Sequence, residues 1–257
     1  MRFQDEVRAV HALSGQRLSD YEIARRTGIP RSTVQHWRRS RRMLREKTAQ
    51  ERPPWRPADP SAYSYLLGMY FGDGCISGKR DSQTGTLKTA FLCIYLDSRY
   101  PKIIDECEAA IRTNFPGLRV GRRTRHPAQL TILQVNSSAI LDALPHHGRG
   151  RKHERLIKLH HWQREIVDIH PRQFLRGLIH SDGCRCLNCF TVNLPSGPRH
   201  YRYVRYYFSN LSVDIRGLFC ESCDRLGIHW TQSNHRNISV ADRRSVAILD
   251  SFVGPKR

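Results

Sequence analysis

"FLRGLIHSDGC" (residues 174–184) repeats the pattern of "YLLGMYFGDGC" (residues 65–75) at an offset of 109 residues. In each copy an apolar, helix-like run ends in an aspartate followed by a glycine. A carboxylate at the carboxyl end of a helix faces the negative end of the helix dipole, so this position is unfavourable unless a positive charge compensates it. The pair Asp73 and Asp182 therefore decides how the rest of the chain is interpreted.

Two further landmarks repeat with nearly the same offset. "RYPKIIDECEAAI" and "LSVDIRGLFCESC" align Ile103 with Ile215, and "ILDAL" (140–144) matches "ILDSF" (248–252). Three landmarks with nearly equal offsets indicate a duplication. Each copy reads as helix, two strands, helix, two strands, helix. The sequence predicts an α+β fold with pseudo-twofold duplicated αββαββα halves.

Small residues lie four positions apart inside the first helix of each copy. Small side chains at this spacing share one helix face and allow two backbones to approach closely. We expect the two helices to pack there about a pseudo-twofold axis, through Gly68, Gly72, Gly177 and Ser181. Asp73 and Asp182 then meet and repel each other, which indicates a divalent cation with oxygen ligands between them. Gly74 and Gly183 are expected to make left-handed turns into the following strands.

The two motifs resemble those of the LAGLIDADG (DOD-type) homing endonucleases, in the single-chain, two-motif form. The resemblance spans about residues 62–254 and implies a saddle of two four-stranded sheets over the DNA major groove. It implies that Asp73 and Asp182 are catalytic and bind Mg²⁺ (or Mn²⁺) for hydrolysis of both strands. It also implies a lysine from each half near the metals. The second half has no lysine before Lys256, so either Arg236 or Arg243 substitutes or the basic helper is missing, and His180 is interpreted as a packing variant.

Composition favours a nucleic-acid partner. Lys and Arg number 43 against 23 acidic residues, a formal net charge of +20, which is typical of proteins that bind a polyanion. No apolar run is long enough for a membrane span and no signal peptide is evident, so we expect a cytoplasmic protein without a membrane partner. The expected partner is double-stranded DNA, bound as a monomer. The alternative function is a transcriptional regulator that uses the same fold without cutting DNA.

Residues 1–46 are predicted to form a small all-α helix-turn-helix domain. Ser19 and Glu22 have capping-box spacing, Gly28 ends the helix and Pro30 can begin the next one. The outward residues of that second helix, expected to contact DNA, are Arg31, Ser32, Gln35 and Arg38. Residues 47–61 are predicted to be a Pro- and Arg-rich linker, followed by halves at 62–160 and 161–257.

Strand-borne basic residues are the remaining candidates for phosphate and base contacts. They are Lys79, Arg80 and Lys88 in the first half, with Arg185, Arg202, Arg205 and Arg236 in the second. Because successive side chains of a strand point to opposite faces of the sheet, only about half of these residues can face DNA. A zinc site formed by Cys186, Cys189, Cys220 and Cys223 is a further alternative, although the expected topology places the first pair on a strand and the second on a helix.

Overall fold

The computed structural model describes residues 4–16, 18–39, 55–78, 90–148, 150–254 and 256. The chain divides into an N-terminal unit, Met1–Pro54, and a C-terminal unit, Trp55–Arg257. No helix in the described ranges combines the length and apolarity needed to cross a membrane.

Within residues 4–16 and 18–39, the N-terminal unit contains three helices around a small apolar core. These are α1 (Gln4–Ser14), α2 (Asp20–Thr27) and α3 (Arg31–Arg39). Ser19 and Glu22 form the expected capping box at the start of α2, and Gly28 ends that helix at φ 69°. The core consists of Val10, Ile23, Ile29, Val34 and Trp37.

The C-terminal unit contains the two predicted αββαββα halves. The first comprises α4 (Pro60–Asp73), β1 (Gly74–Ser77), β2 (Phe91–Asp97), α5 (Pro101–Asn114), β3 (Gly121–Arg125), β4 (Leu130–Asn136) and α6 (Ala139–Ala143). A 3₁₀ turn (Lys152–Glu154) and α7 (His161–Ile169) connect it to the second half. That half comprises α8 (Pro171–Asp182), β5 (Gly183–Leu194), β6 (Gly197–Ser209), α9 (Val213–Arg225), β7 (Thr231–Gln232), β8 (Asn237–Val240) and α10 (Arg243–Asp250).

Each half forms one antiparallel four-stranded sheet, ordered β1-β2-β4-β3 and β5-β6-β8-β7. Alternate residues of the central strands are buried against the helices. In the first sheet these include Leu92, Ile94 and Leu133, and in the second Tyr206 and Phe208. Because strand side chains alternate, the other face of each sheet is not covered by these helices. We call it the open face. The predicted α+β class and duplication are confirmed.

Helices α4 and α8 meet through their glycines. A Cβ on Gly177 would lie 2.2 Å from the Tyr65 carbonyl oxygen, and one on Gly68 would lie 2.5 Å from the Phe174 carbonyl oxygen. A Cβ on Gly72 would lie 2.2 Å from Ser181 Oγ. Backbone on both sides leaves no room for a larger residue, so the small-residue spacing determines this contact.

Two expectations about the chain path were wrong. Gly74 and Gly183 are extended, at φ −91° and −106°, and are not left-handed. Glycine is needed there because a Cβ would lie 2.6 Å from Tyr70 Cα in the first motif and 2.7 Å from Ile179 Cα in the second. The linker also ends earlier than residue 61, because Trp55 stacks on Phe115 and already belongs to the C-terminal unit.

Candidate active site and nucleic-acid surface

Asp73 and Asp182 end α4 and α8 at the point where these helices touch. A Cβ on Gly72 would lie 3.1 Å from Asp182 Cγ, so the second carboxyl packs against the backbone next to Asp73. Burial raises the pKa of Asp73 to about 7, and the charge of Asp182 adds to the increase. Burial also raises the pKa of Asp182. The two carboxyls are therefore close enough to repel each other, as the sequence predicted.

Lys152 lies at the carboxyl end of α4. Its ammonium donates to the carbonyl of Tyr70, to that of Phe71 at 2.9 Å and to that of Gly72 at 3.1 Å. These carbonyls carry the negative end of the helix dipole, so a cation is favoured there. Lys152 and Asp182 also line the same cleft of about 430 Å³. Burial lowers the pKa of this lysine to about 8, although both aspartates oppose the decrease.

Lys256 has the equivalent place at the end of α8. Its ammonium lies 3.4 Å from the Ser181 carbonyl oxygen. It lines a second cleft, of about 310 Å³, together with Asp73. Burial lowers its pKa, and the charge of Asp73 is the largest opposing effect. Each aspartate therefore shares a cleft with one lysine, and each lysine approaches the helix end of its own half.

Asp73 and Asp182 were predicted from the sequence, whereas Lys152 was not. That residue lies in the connection between the halves, and no periodic pattern indicated that it returns to α4. Lys256, the last lysine of the second half, was not predicted as a helper either, although its ammonium lies at the seam. Of the alternative helpers, Arg236 is exposed in the turn before β8, and Arg243 begins α10.

Asn210 supports the second aspartate. Its side-chain amide donates to Asp182 Oδ2 at 2.7 Å, and its backbone carbonyl accepts from Arg216 Nη1 at 2.7 Å. Arg216 is 9% exposed. This chain of contacts fixes the orientation of the Asp182 carboxyl before any ligand arrives.

The donor set at the seam suits a hard divalent cation. Two carboxylates converge there, and hard cations such as Mg²⁺ prefer oxygen ligands. The four candidate zinc cysteines are arranged differently. Cys220 and Cys223 are buried on α9. Cys186 and Cys189 lie three residues apart on β5. Because strand side chains alternate, these two cysteines point to opposite faces of the sheet. Within the described residues, no group of three or more His, Cys, Asp or Glu side chains could hold a metal ion.

The open face of the first sheet is basic. Arg123 and Arg125 of β3 pair with Ile132 and Leu130, whereas Arg122, which precedes them, turns back to Asp105 on the helix side. Arg123 and Arg125 line a groove of about 490 Å³ with Arg119, Tyr95, Gln134 and Asn136. These arginines were not among the predicted DNA contacts, although the alternation in "GRRTR" could have indicated them.

The open face of the second sheet combines arginines with tyrosines. The Arg205 guanidinium lies 4.2 Å from the Tyr207 ring centroid and donates to Ser239 Oγ. Arg199 lies 5.3 Å from the ring centroid of Tyr201, which stacks on Phe190. These contacts hold the arginines in defined orientations on a long two-stranded ribbon.

No protein-family model matches the chain, and no curated protein matches it in sequence. Among solved structures, the LAGLIDADG meganuclease I-AabMI bound to uncleaved DNA is 11% identical, with a TM-score of 0.47 over 76% of this chain and 82% of that one. I-DmoI in complex with DNA and Mn is 13% identical, with a TM-score of 0.48 over 76% and 97%. A double mutant of I-SmaMI is 12% identical, with a TM-score of 0.49 over 75% and 85%.

The chain is similar to LAGLIDADG homing endonucleases. The helix-turn-helix assignment of the N-terminal unit stays a prediction.

The predicted DNA contacts of the second sheet divide between its two faces. Arg205 lies on the open face. Arg185 pairs with Tyr206 in register and binds Asp250 of α10 at 2.7 Å, so it lies on the helix side and is a structural ion pair. Arg202 is exposed, but it lies four residues from Tyr206 on β6 and therefore on the same, helix-facing side of the sheet. Arg185 was a candidate DNA contact, but the structure engages its guanidinium with Asp250 on the helix side.

The other predicted contacts are placed as follows. Arg31 and Ser32 are exposed at the start of α3, and Gln35 is half-buried. Arg38 forms an ion pair with Asp20, so it also holds α3 against α2. Lys79, Arg80 and Lys88 lie outside the described residues.

Proposed function

We propose that this chain is a DNA endonuclease that hydrolyses one phosphodiester bond in each strand of a double-stranded site. The observation that carries this proposal is the pair of largely buried aspartates at the α4–α8 seam, each sharing a cleft with one lysine. The pairing of Asp182 with Lys152 and of Asp73 with Lys256 gives two similar sites, as two antiparallel strands require. The basic open faces provide a DNA surface on either side.

Asp73 and Asp182 would hold the divalent cation, Mg²⁺ or Mn²⁺. Such an ion supplies a more acidic water molecule and stabilises negative charge on phosphate oxygens. The raised pKa of Asp73 is consistent with a ligand site, because a cation would offset both the cost of burying its charge and the repulsion from Asp182. Lys152 and Lys256 would bring positive charge to the scissile phosphates. With a pKa of about 8, Lys152 is mostly protonated at pH 7 and can also give up a proton.

A DNA-binding regulator without cleavage is the second candidate. The observation that favours it is the same pair of ammonium groups, which compensate the aspartates without any metal ion. In that case the seam would be a structural device, and the open faces would still bind DNA. The two candidates differ in a single measurable property, which is metal-dependent strand cleavage.

Bound DNA would first be selected from a random or genomic library, and the selected duplex would then be incubated with Mg²⁺. We expect both strands to be cut by the wild-type chain and neither by Asp73→Asn or Asp182→Asn, while binding is retained. Asp105→Asn is the matched control, because Asp105 lies on α5 and is exposed. Wild-type binding without cleavage in Mg²⁺ or Mn²⁺ would reject the endonuclease and favour the regulator.

The N-terminal unit would extend the DNA contact, with Arg31 and Ser32 directed at the duplex from the start of α3. Lysine and arginine neutralise phosphates and release counterions, so binding should weaken as salt increases. Since one chain contains both aspartates, a monomer would be sufficient to cut both strands.

A further inference from the structure

The last residues of the chain are held to the second motif by Arg176. Its Nη1 donates to the backbone carbonyl oxygens of Phe252 and, at 2.5 Å, of Val253. Its Nε and Nη2 bind the Glu106 carboxylate at 2.6 and 2.8 Å, a two-point ion pair. The guanidinium therefore joins α8, α5 and the chain end. Charge-assisted, two-point contacts of this kind fix geometry more firmly than neutral ones.

His180 makes a second contact with the same segment. Its Nε2 lies 3.0 Å from the Val253 carbonyl oxygen, and its Nδ1 lies 3.1 Å from the Tyr65 hydroxyl. A carbonyl can only accept, so Nε2 carries the proton and Nδ1 accepts from the tyrosine. The ring is 5% exposed. The imidazole is thus a buried, directional link between α4 and the chain end.

The first motif has apolar residues at the equivalent places. Leu67 stands where the second motif has Arg176, and Phe71 stands where it has His180. Phe71 packs edge-on against Phe174, the counterpart of Tyr65. Apolar side chains at these two positions are therefore sufficient to pack the helix seam. In the second motif, by contrast, Arg176 and His180 bind backbone carbonyls of the chain end.

Lys256 follows Val253 by three residues. Three residues of chain reach at most about 10 Å, so fixing Val253 confines the backbone of Lys256 to the mouth of the Asp73 cleft. Lys152 is held differently, by three carbonyls of α4. The two lysines thus have independent supports.

We propose that Arg176 and His180 are positioning residues that act as a clamp on the carboxyl-terminal segment, Phe252–Gly254, and so place the Lys256 ammonium beside Asp73. This inference rests on the proposed function. It adds that the two strand cleavages depend on different parts of the chain, one on the clamp and the other on the connection that carries Lys152.

Strand-resolved cleavage of the selected duplex, labelled separately on each strand, tests the clamp. Lys256→Met should slow the cutting of one strand by roughly a hundredfold, the loss typical of one preorganised charge. Arg176→Met should slow the same strand by at least about tenfold, because misplacement of a catalytic group by about 1 Å has effects of this order. The variant that combines Arg176→Met with Lys256→Met should cut this strand only slightly more slowly than Lys256→Met alone. Lys152→Met should slow the opposite strand.

Arg185→Met is the matched control. Arg185 makes the same kind of two-point ion pair in the same half, to Asp250, without touching the chain end. It should leave the ratio of the two strand rates unchanged. Equal slowing of both strands by Arg176→Met, or the same strand bias in Arg185→Met, would overturn the clamp.

Hydrogen exchange provides a readout that does not depend on cleavage. The peptide that covers residues 252–256 should exchange faster in Arg176→Met than in wild type, and Arg176→Lys should restore part of the protection. An unchanged exchange rate would reject the clamp even if the chain is a nuclease. Faster exchange in a chain that cuts no DNA would refute the endonuclease and the positioning role while leaving the contact itself in place.

Discussion

The two aspartates at the seam are similar in position but differ in support. Asp182 accepts a hydrogen bond from Asn210, which lowers its pKa and opposes the effect of burial. For Asp73 the main opposing effects are the charges of Lys256 and Lys152. Each carboxylate is therefore compensated by groups from outside its own helix. Such an arrangement has a cost to folding that neutralisation should remove.

Asp73→Asn should stabilise the protein at pH 8 but much less at pH 4.5. The pKa of Asp73 is raised from 3.8 to about 7 in the folded chain. Between these two pKa values the Asp73 carboxyl keeps its proton in the folded state and has lost it in the unfolded state. Stability contributed by the protonated form is present below pH 4 and is lost as the pH rises through 7. Asparagine has no charge to bury at any of these pH values. We expect Tm to rise by about 5 °C at pH 8, measured by calorimetry in metal-free buffer.

Asp97→Asn is the control for that measurement. The pKa of Asp97 is lowered by hydrogen bonds from Arg99, so its charged form is favoured and asparagine should give no increase in Tm at pH 8. If Asp73→Asn also gave no increase, the burial of that carboxyl would have been assigned incorrectly.

At the level of elements, the sequence predicted the features that depend on local pattern. Small residues four positions apart predict the α4–α8 contact because larger side chains would hold the two backbones apart, and the capping box at α2 is equally local. The side of the sheet on which Arg185 lies could not be predicted, because "GCRCLNCF" lacks a clear apolar alternation. The position of Lys152 could not be read either, because it depends on how the connection between the halves returns to α4.

Gly177→Ala should destabilise the C-terminal unit by several kcal/mol. The new Cβ would meet the Tyr65 carbonyl oxygen at 2.2 Å and the Met69 nitrogen at 3.0 Å, and both are helix backbone. To make room, α4 and α8 must separate, which opens the packing around them. Thermal unfolding followed by circular dichroism gives the change in stability.

Gly217→Ala is the matched comparison. Gly217 lies inside α9, and a Cβ there meets nothing within 4 Å. Alanine in a helix interior is favoured over glycine by about 0.5–1 kcal/mol, so this variant should be slightly more stable than wild type. If both variants behaved alike, close approach of the helices would not be the reason for glycine at position 177.

For the whole molecule, the two units have separate apolar cores. The core of the N-terminal unit lies within residues 10–37, and that of the C-terminal unit begins at Tyr63. Separate cores mean that neither unit needs the other to bury its apolar side chains. The net charge of +20 belongs to the whole chain, so DNA affinity should be distributed over both units while the aspartates and lysines of the seam lie in one.

A chain of residues 55–257 should therefore fold and cut the same site, with weaker binding. Each phosphate contact contributes a slope of about −0.9 to the logarithm of affinity against the logarithm of salt concentration. If α3 adds about three phosphate contacts, the full chain should have a slope about 2.7 units steeper than the shortened one. Fluorescence anisotropy on the selected duplex between 50 and 300 mM KCl measures both slopes.

Arg31→Ala in the full chain should make this salt slope shallower by about one unit. Arg25→Ala, at an exposed arginine of α2, should change the slope less. Equal slopes for the full and shortened chains would show that the N-terminal unit does not contact DNA, and the C-terminal unit would then account for all of the binding.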